Sequence, residues 1–356
     1  MSANKWIKYT IGIAAVVIIG GGVAFAAHHR HSRPKDAGLF VIKTWTRKDC
    51  SVTPWTVAEK LGFLKEEGIQ LKLTGETQPA LQIPSIVRGD NDVSSFHPNQ
   101  LAVAKAGGAK LTGVSEGGIE PTDPNKDPRY RHMWWFVNPQ KHPDVKTFAD
   151  LGKLEGKIKI ATITTNICAD FETKVLADKY KVPRDKIEWV TMPDVQAIQS
   201  LKQGLIDASE VHPPFYKGML EAGALKIADS FETGLGASAG ITYYAFRDEF
   251  IKKYPDKVAA FARAMRKAQA WANANPEGSI KLTEEAIGQP VKGNHFYSEA
   301  TTLNDAYAIP WLQDLENSNV IPRGKVTTKN LLTHEIEAIN LKHEREQDSA
   351  KLSQNP

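Results

Sequence analysis

Cys50, His97, Cys168 and His212 are the side chains of this chain best suited to direct chemistry. Two thiols and two imidazoles can hold a soft metal such as zinc or copper(I), or a thiophilic ligand. Their separations follow no finger or ribbon spacing. A plainer reading therefore stands beside the first: two cysteines packed as small apolar residues at helix starts, and two histidines that cap helices. A second set of donors lies nearby. Ser94, Ser95, Thr164, Thr165 and Asn166 fall between strand-like and helix-like segments. Free backbone N–H groups and the positive end of a helix dipole favour an oxyanion there, although each hydroxyl could equally cap its helix. Arg47 and Lys48 add positive charge at the rim, and Glu210 opens the loop that carries His212.

These residues need a scaffold that brings distant loops together. Apolar alternation predicts strands over residues 38–45, 69–73, 110–114, 133–137, 157–163, 188–191, 207–211, 225–228 and 241–246, with a short one at 92–93. Helical patterns lie between them. Others cover 255–275, 277–287, 300–317, interrupted near Pro310, and 328–346. The alternation predicts an α/β fold with parallel or mixed sheets covered on both faces. In such sheets ligands bind beyond the strand carboxyl ends, where strand order reverses. The loops at 47–55, 94–99, 164–169 and 210–215 are therefore expected to face one cleft. Trp55, Phe96, Phe215, Tyr243 and Tyr244 could wall it, whereas Trp134 and Trp135 suit the core.

With 356 residues, 41% hydrophobic and 24% charged, the chain is globular and long enough for two domains. The net charge of +4 and the lack of a basic tract with interleaved aromatics exclude nucleic acid as a partner. Lys5 and Lys8 precede an uncharged run that ends in Ala24-Phe25-Ala26. That pattern predicts a signal peptide over 1–26, with an uncleaved anchor as the alternative, and so an exported, periplasmic protein. Residues 27–37 are expected to be flexible. Any membrane contact would run through this N-terminal segment or a membrane-bound partner.

The order of motifs resembles the nitrate/sulfonate/taurine-type substrate-binding proteins. Phe63-Leu64-Lys65-Glu66-Glu67-Gly68-Ile69 resembles the family's stretch after its first helix. Residues 83–114, 145–161, 196–215 and 250–276 resemble four further stretches in the same order. The resemblance covers residues 38 to about 290. It implies a two-lobed, type II-like periplasmic-binding-protein fold with two interlobe crossovers. Lobe 1 would comprise 38–125 and 241–320, lobe 2 would comprise 126–240, and 321–356 would form a C-terminal helical extension. It implies a small organosulfur or oxyanion ligand, an ATP-binding-cassette permease as partner, no cofactor and no chemistry. A Cys50–Cys168 disulfide would staple such lobes shut, so free thiols are expected.

The chain also resembles, more distantly, hydroxybiphenyl sulfinate desulfinase, which has a nucleophilic cysteine after its first strand. Cys50 stands at the matching place and Arg88 at that of an essential arginine. The enzyme's essential histidine has no counterpart, Gln78 falling near its position. Pyrimidine synthases for thiamine share the fold, but their cysteine-rich motif finds no match here.

Overall fold

The computed structural model describes residues 38–354; the expected signal peptide and the stretch 27–37 lie outside the described residues. The described residues form twelve strands, ten at the predicted runs and two short ones, Gly118–Ile119 and Phe296–Tyr297, that the alternation did not mark. In chain order they are β1 (Phe40–Thr44), β2 (Ile69–Leu73), β3 (Val93–Phe96), β4 (Leu111–Glu116), β5 (Gly118–Ile119), β6 (Trp134–Val137), β7 (Ile158–Thr162), β8 (Ile187–Thr191), β9 (Ala208–Val211), β10 (Leu225–Asp229), β11 (Tyr243–Arg247) and β12 (Phe296–Tyr297). Among the described residues no helix is long and apolar enough to cross a membrane.

The strands divide into two lobes. In the first, β1 pairs in parallel with β2, and β11 lies antiparallel between β3 and β4. The β1 strand is tied to β3 through Asp92 N–H to the Lys43 carbonyl at 2.9 Å and Thr44 Oγ1 to the Val93 carbonyl at 2.9 Å. The second lobe is one five-stranded sheet in the order β10-β6-β9-β7-β8. There β7 is parallel to β8 and β9, and β6 is antiparallel to β9 and β10, so the sheet is mixed. The chain leaves the first lobe after β4 and returns before β11. The two crossovers touch: Gly117 N–H donates to the Thr242 carbonyl at 2.7 Å, and Thr242 N–H to the Gly118 carbonyl at 3.1 Å.

The long helix Pro255–Ala274 starts at a proline, whose fixed φ suits a first turn. It buries Phe261, Met265 and Ala268 with Trp55, Tyr244 and Phe246 in the first-lobe core. Fully burying side chains of this size stabilises by about 1.5–3 kcal/mol each. Two expected helices are interrupted. Over 300–317 the helix is Ile309–Asn317, because Pro310 belongs at its start, not its interior. Over 328–346 a capping box at Thr327 and Asn330 starts a short helix Thr328–Leu331, and a new one runs Glu335–Gln354. The break lets Leu332 bridge to Gly113, with Thr333 N–H donating to the Gly113 carbonyl at 3.0 Å. A Cβ at residue 113 would meet Leu332 Cδ2 at 2.8 Å and Tyr243 Cβ at 3.1 Å, so the leucine side chain would have to shift to admit one.

Candidate functional site

In the second-lobe sheet β7 lies between β8 and β9, so the strand order reverses at the β7–β9 pair. The loop after β7 leads to Cys168, the first residue of the helix Cys168–Tyr180. The loop after β9 presents His212 ahead of Pro213 and Pro214. The switch point thus brings Cys168 Sγ to 3.3 Å from His212 Nε2. Asp194, at the start of the helix after β8, places Oδ2 3.8 Å from His212 Nδ1, beyond hydrogen-bonding distance. Burial pushes the Cys168 thiol up to about 12, and burial also raises Cys50. Burial opposes a charge on His212, but the two sulfurs and Asp194 outweigh it and hold this imidazole above its usual range.

His97 comes from the first lobe, between β3 and the helix Pro98–Ala106. Its backbone N–H donates to Gln100 Oε1 at 3.1 Å, half of a capping box. Its ring Nδ1 lies 2.8 Å from the Ile241 carbonyl. A carbonyl can only accept, so Nδ1 carries the proton and Nε2 keeps a free lone pair. Burial lowers the His97 pKa to about 3, and the ring is neutral.

His132 and His295 join them, and neither stood out in the sequence. His132 lies on the first crossover, its N–H donating to Glu120 Oε2 at 2.7 Å. Its ring centroid is 4.8 Å from His295, 5.1 Å from His97 and 5.3 Å from His212. Burial and the surrounding imidazoles hold its pKa far below the usual range. Neither ring nitrogen of His132 has a hydrogen-bond partner among the described residues, and the same holds for both carboxylate oxygens of Glu172 and of Glu210. Glu172 Oε1 is 3.8 Å from His132 Nε2. Burial raises both carboxyls, Glu210 to about 8. An unmet buried polar group costs about 1–3 kcal/mol. Several side by side are not what stability alone would select. His132 precedes a strand and follows a polar loop, and no spacing motif marks it.

These groups border a cavity of about 160 Å³. An engineered cavity of about 150 Å³ holds benzene, which sets the scale of the ligand. Cys50, Ser95, His97, Thr164, Cys168 and His212 of the predicted set line it, together with His132, His295, Tyr244, Tyr297 and the crossover residues Gly118, Gly240 and Thr242. No lysine or arginine is among the described residues lining it.

Other predicted residues lie elsewhere. Lys48 is exposed and pairs with Glu76 at 3.0 Å, away from the cavity. Arg47 is no rim charge: it is buried 3.8 Å from the Trp55 ring centroid and donates to the Trp45 carbonyl and to Ser94 Oγ, at 2.6 Å for the latter. Burial lowers it to about 10. Ser94 is therefore committed to Arg47. Thr165 is exposed, and Asn166 turns the loop at a φ of 56°; neither lines the cavity. Glu210 is buried but does not line the cavity. Arg88 is exposed and bound to Asp90 at 2.9 Å, so it does not serve Cys50. Phe96 and Tyr244 line the cavity, while Trp55, Phe215 and Tyr243 belong to cores. Both cysteines are free. One group of possible metal ligands among the described residues keeps His97 and Cys168 of the expected quartet and has His132 in place of Cys50 and His212: donor atoms of His97, His132 and Cys168 all lie within 4.8 Å of one another.

A family model described as NMT1/THI5 like matches residues 49–279. No curated protein sequence matches the chain. Among solved structures, the periplasmic aliphatic sulphonate binding protein SsuA from Escherichia coli is similar at 18% identity and a TM-score of 0.62, over 83% of this chain and 92% of that one. The periplasmic nitrate-binding protein NrtA from Synechocystis PCC 6803 is similar at 12% identity and a TM-score of 0.62, over 89% of this chain and 90% of that one. The desulfurization enzyme DSZB is similar at 13% identity and a TM-score of 0.59, over 86% of this chain and 99% of that one. At these identities the likeness shows the fold, the two-lobed periplasmic-binding-protein fold that the motif order implied.

Proposed function

The chain belongs to the NMT1/THI5-like family, and from that footing we propose that it is the exported solute-binding component of an ATP-binding-cassette importer. One observation carries the reading. A single cavity is lined by loops of the first lobe, by loops of the second lobe and by both crossovers. A solute there touches both lobes at once, so it favours the closed form over the open one by its extra contacts. The closed form is what a permease would accept. The similar sulphonate- and nitrate-binding proteins suggest an organosulfur compound or related oxyanion as solute. Ser95, Thr164 and the N–H groups at the helix starts after β3 and β7 could bind it.

Enzymatic desulfination fits less well. An activated cysteine needs a lowered pKa, whereas burial raises that of Cys50, and Arg88 is turned to solvent with Asp90. The test is a thermal-shift titration of the mature chain, reduced, against sulfonates, sulfinates, sulfate and nitrate. A ligand at a hundred times its Kd should stabilise by about 2.7 kcal/mol. Release of sulfite from an aryl sulfinate, lost on Cys50→Ala, would replace the transport reading with the enzymatic one. Cell fractionation and sequencing of the mature N-terminus test export and cleavage after Ala26.

A further inference from the structure

The lining chemistry narrows the solute class beyond what the fold implies. Buried imidazoles in cores are ordinarily bonded. Here His132 has both ring nitrogens open, and His97 has its Nδ1 fixed on the Ile241 carbonyl with Nε2 left over. That is how a ligating histidine is held: one nitrogen anchored to a carbonyl, the other presented. Cys168 adds a sulfur, and the three donor atoms lie within 4.8 Å of one another. Cys168 and His132 are 2% and 3% exposed, so water does not compete freely for them.

Charge points the same way. No lysine or arginine lines the cavity among the described residues, and the unpartnered buried acids next to it are Glu172 and Glu210. A cation meets the Cys168 sulfur, the open nitrogens of His132, the free Nε2 of His97 and two carboxyls without partners.

We propose that His97, His132 and Cys168 form a binding site for a soft, thiophilic metal ion, which is the solute or its recognised part. The inference rests on the binding-protein reading. Two nitrogens and one sulfur suit zinc, cadmium or copper(I), and oxygen-seeking ions such as magnesium and calcium do not suit them. Binding exchanges the Cys168 thiol proton, released to solvent, for a metal–sulfur bond, with no change of oxidation state. The spacing has a mechanical meaning. The three donors lie within 4.8 Å of one another, and zinc bonds run about 2.0–2.3 Å, so one ion set between them engages all three at once. One donor stands on the first lobe, one on a crossover and one on the second lobe, so coordination draws the lobes together.

The experiment titrates the metal-free, reduced mature chain with Cd²⁺ and Zn²⁺ alone, by calorimetry and by the ultraviolet cadmium–thiolate charge-transfer band. One ion per chain and a thiolate band are expected. Cys168→Ser should abolish the band. His97→Gln and His132→Gln should each weaken binding more than about 100-fold, beyond the usual effect of losing an outer partner. The histidine variants carry the test if Cys168→Ser does not fold, as judged by circular dichroism. A band that persists in Cys168→Ser, or unchanged affinity in both histidine variants, overturns the site. Absence of saturable metal binding together with a saturable shift by a sulfonate overturns the metal inference and leaves the receptor reading intact. Absence of both removes the two together.

Discussion

The His97 ring stacks on the indole of Trp311 at a centroid distance of 5.1 Å and an interplanar angle of 17°. The same indole packs on Phe171 of the second lobe at 4.4 Å and donates from Nε1 to the Ser238 carbonyl at 2.9 Å. One side chain on the helix Ile309–Asn317 therefore meets both lobes and the second crossover. Trp311→Ala should cost about 3–5 kcal/mol in urea unfolding, the usual range for a buried aromatic. Trp311→Phe should retain much of the packing and fall between that variant and the parent. Equal stability of Trp311→Ala and the parent would show that the indole supports neither lobe.

A second prediction concerns acid stability. Arg263 donates to Glu67 Oε2 at 2.7 Å and to Asn340 Oδ1 at 2.9 Å, tying the helix Pro255–Ala274 to the C-terminal helix Glu335–Gln354. Burial raises the Glu67 carboxyl, but the Arg263 bonds and the charges of Arg263 and Lys267 prevail and bring it below its ordinary range. A carboxylate lowered by folding stabilises above its unfolded pKa of about 4.3, and that stability is lost as pH falls through the lower folded value. Unfolding curves from pH 6 to pH 3 should therefore be less steep in pH for Glu67→Gln. Arg263→Leu leaves the Glu67 carboxylate with Lys267 alone, at 3.2 Å, and should destabilise the chain at neutral pH by less than the about 3–5 kcal/mol of a fully unpaired buried charge.

The crossovers supply the third. A methyl at residue 240 would stand 2.5 Å from the Ile119 carbonyl carbon and 2.6 Å from Glu120 N, both backbone atoms. Gly240→Ala must push the crossovers apart, and overpacking of this kind costs about 1–3 kcal/mol. Because the residue also lines the cavity, solute affinity should fall with it. A variant with unchanged melting temperature and affinity would show that the contact is not maintained in solution.

The thiols give the fourth. Cys50 is partly exposed and Cys168 is buried. Ellman's reagent should modify one thiol of the native, reduced chain and reach the second only on unfolding. Cys50→Ala should remove the native reaction. Two thiols reacting at equal rates would place Cys168 in contact with solvent.

Much of this fold could be read from residue order. The α/β alternation located the strands that end at Phe96, Thr162 and Val211, and the helix starts after them. The cavity residues Cys50, His97, Thr164, Cys168 and His212 were found by that rule, since local pattern places a loop at a strand's end; Ser95 instead lies within β3, which runs past its expected end at residue 93 to Phe96. Failures came where tertiary partners decide. Arg47 and Lys48 looked alike, but the indoles of Trp45 and Trp55 bury the first and leave the second outside. Asn166 reads as a donor until its positive φ shows it spent on the turn. His132 and His295 lie in segments without periodicity and reach the cavity only because crossover and lobe meet there.

Ile241 follows the crossover residue that touches Ile119, and its carbonyl is also the anchor of the His97 ring. Any rotation of that crossover turns the imidazole with it. In the proposed transport cycle, the angle between the lobes and the grip on the cargo then form a single mechanical coordinate. A permease that levers the lobes open loosens the cargo by the same stroke. In that cycle release would need no displacing group of the permease's own, and the affinity for the cargo sets the work the opening has to supply.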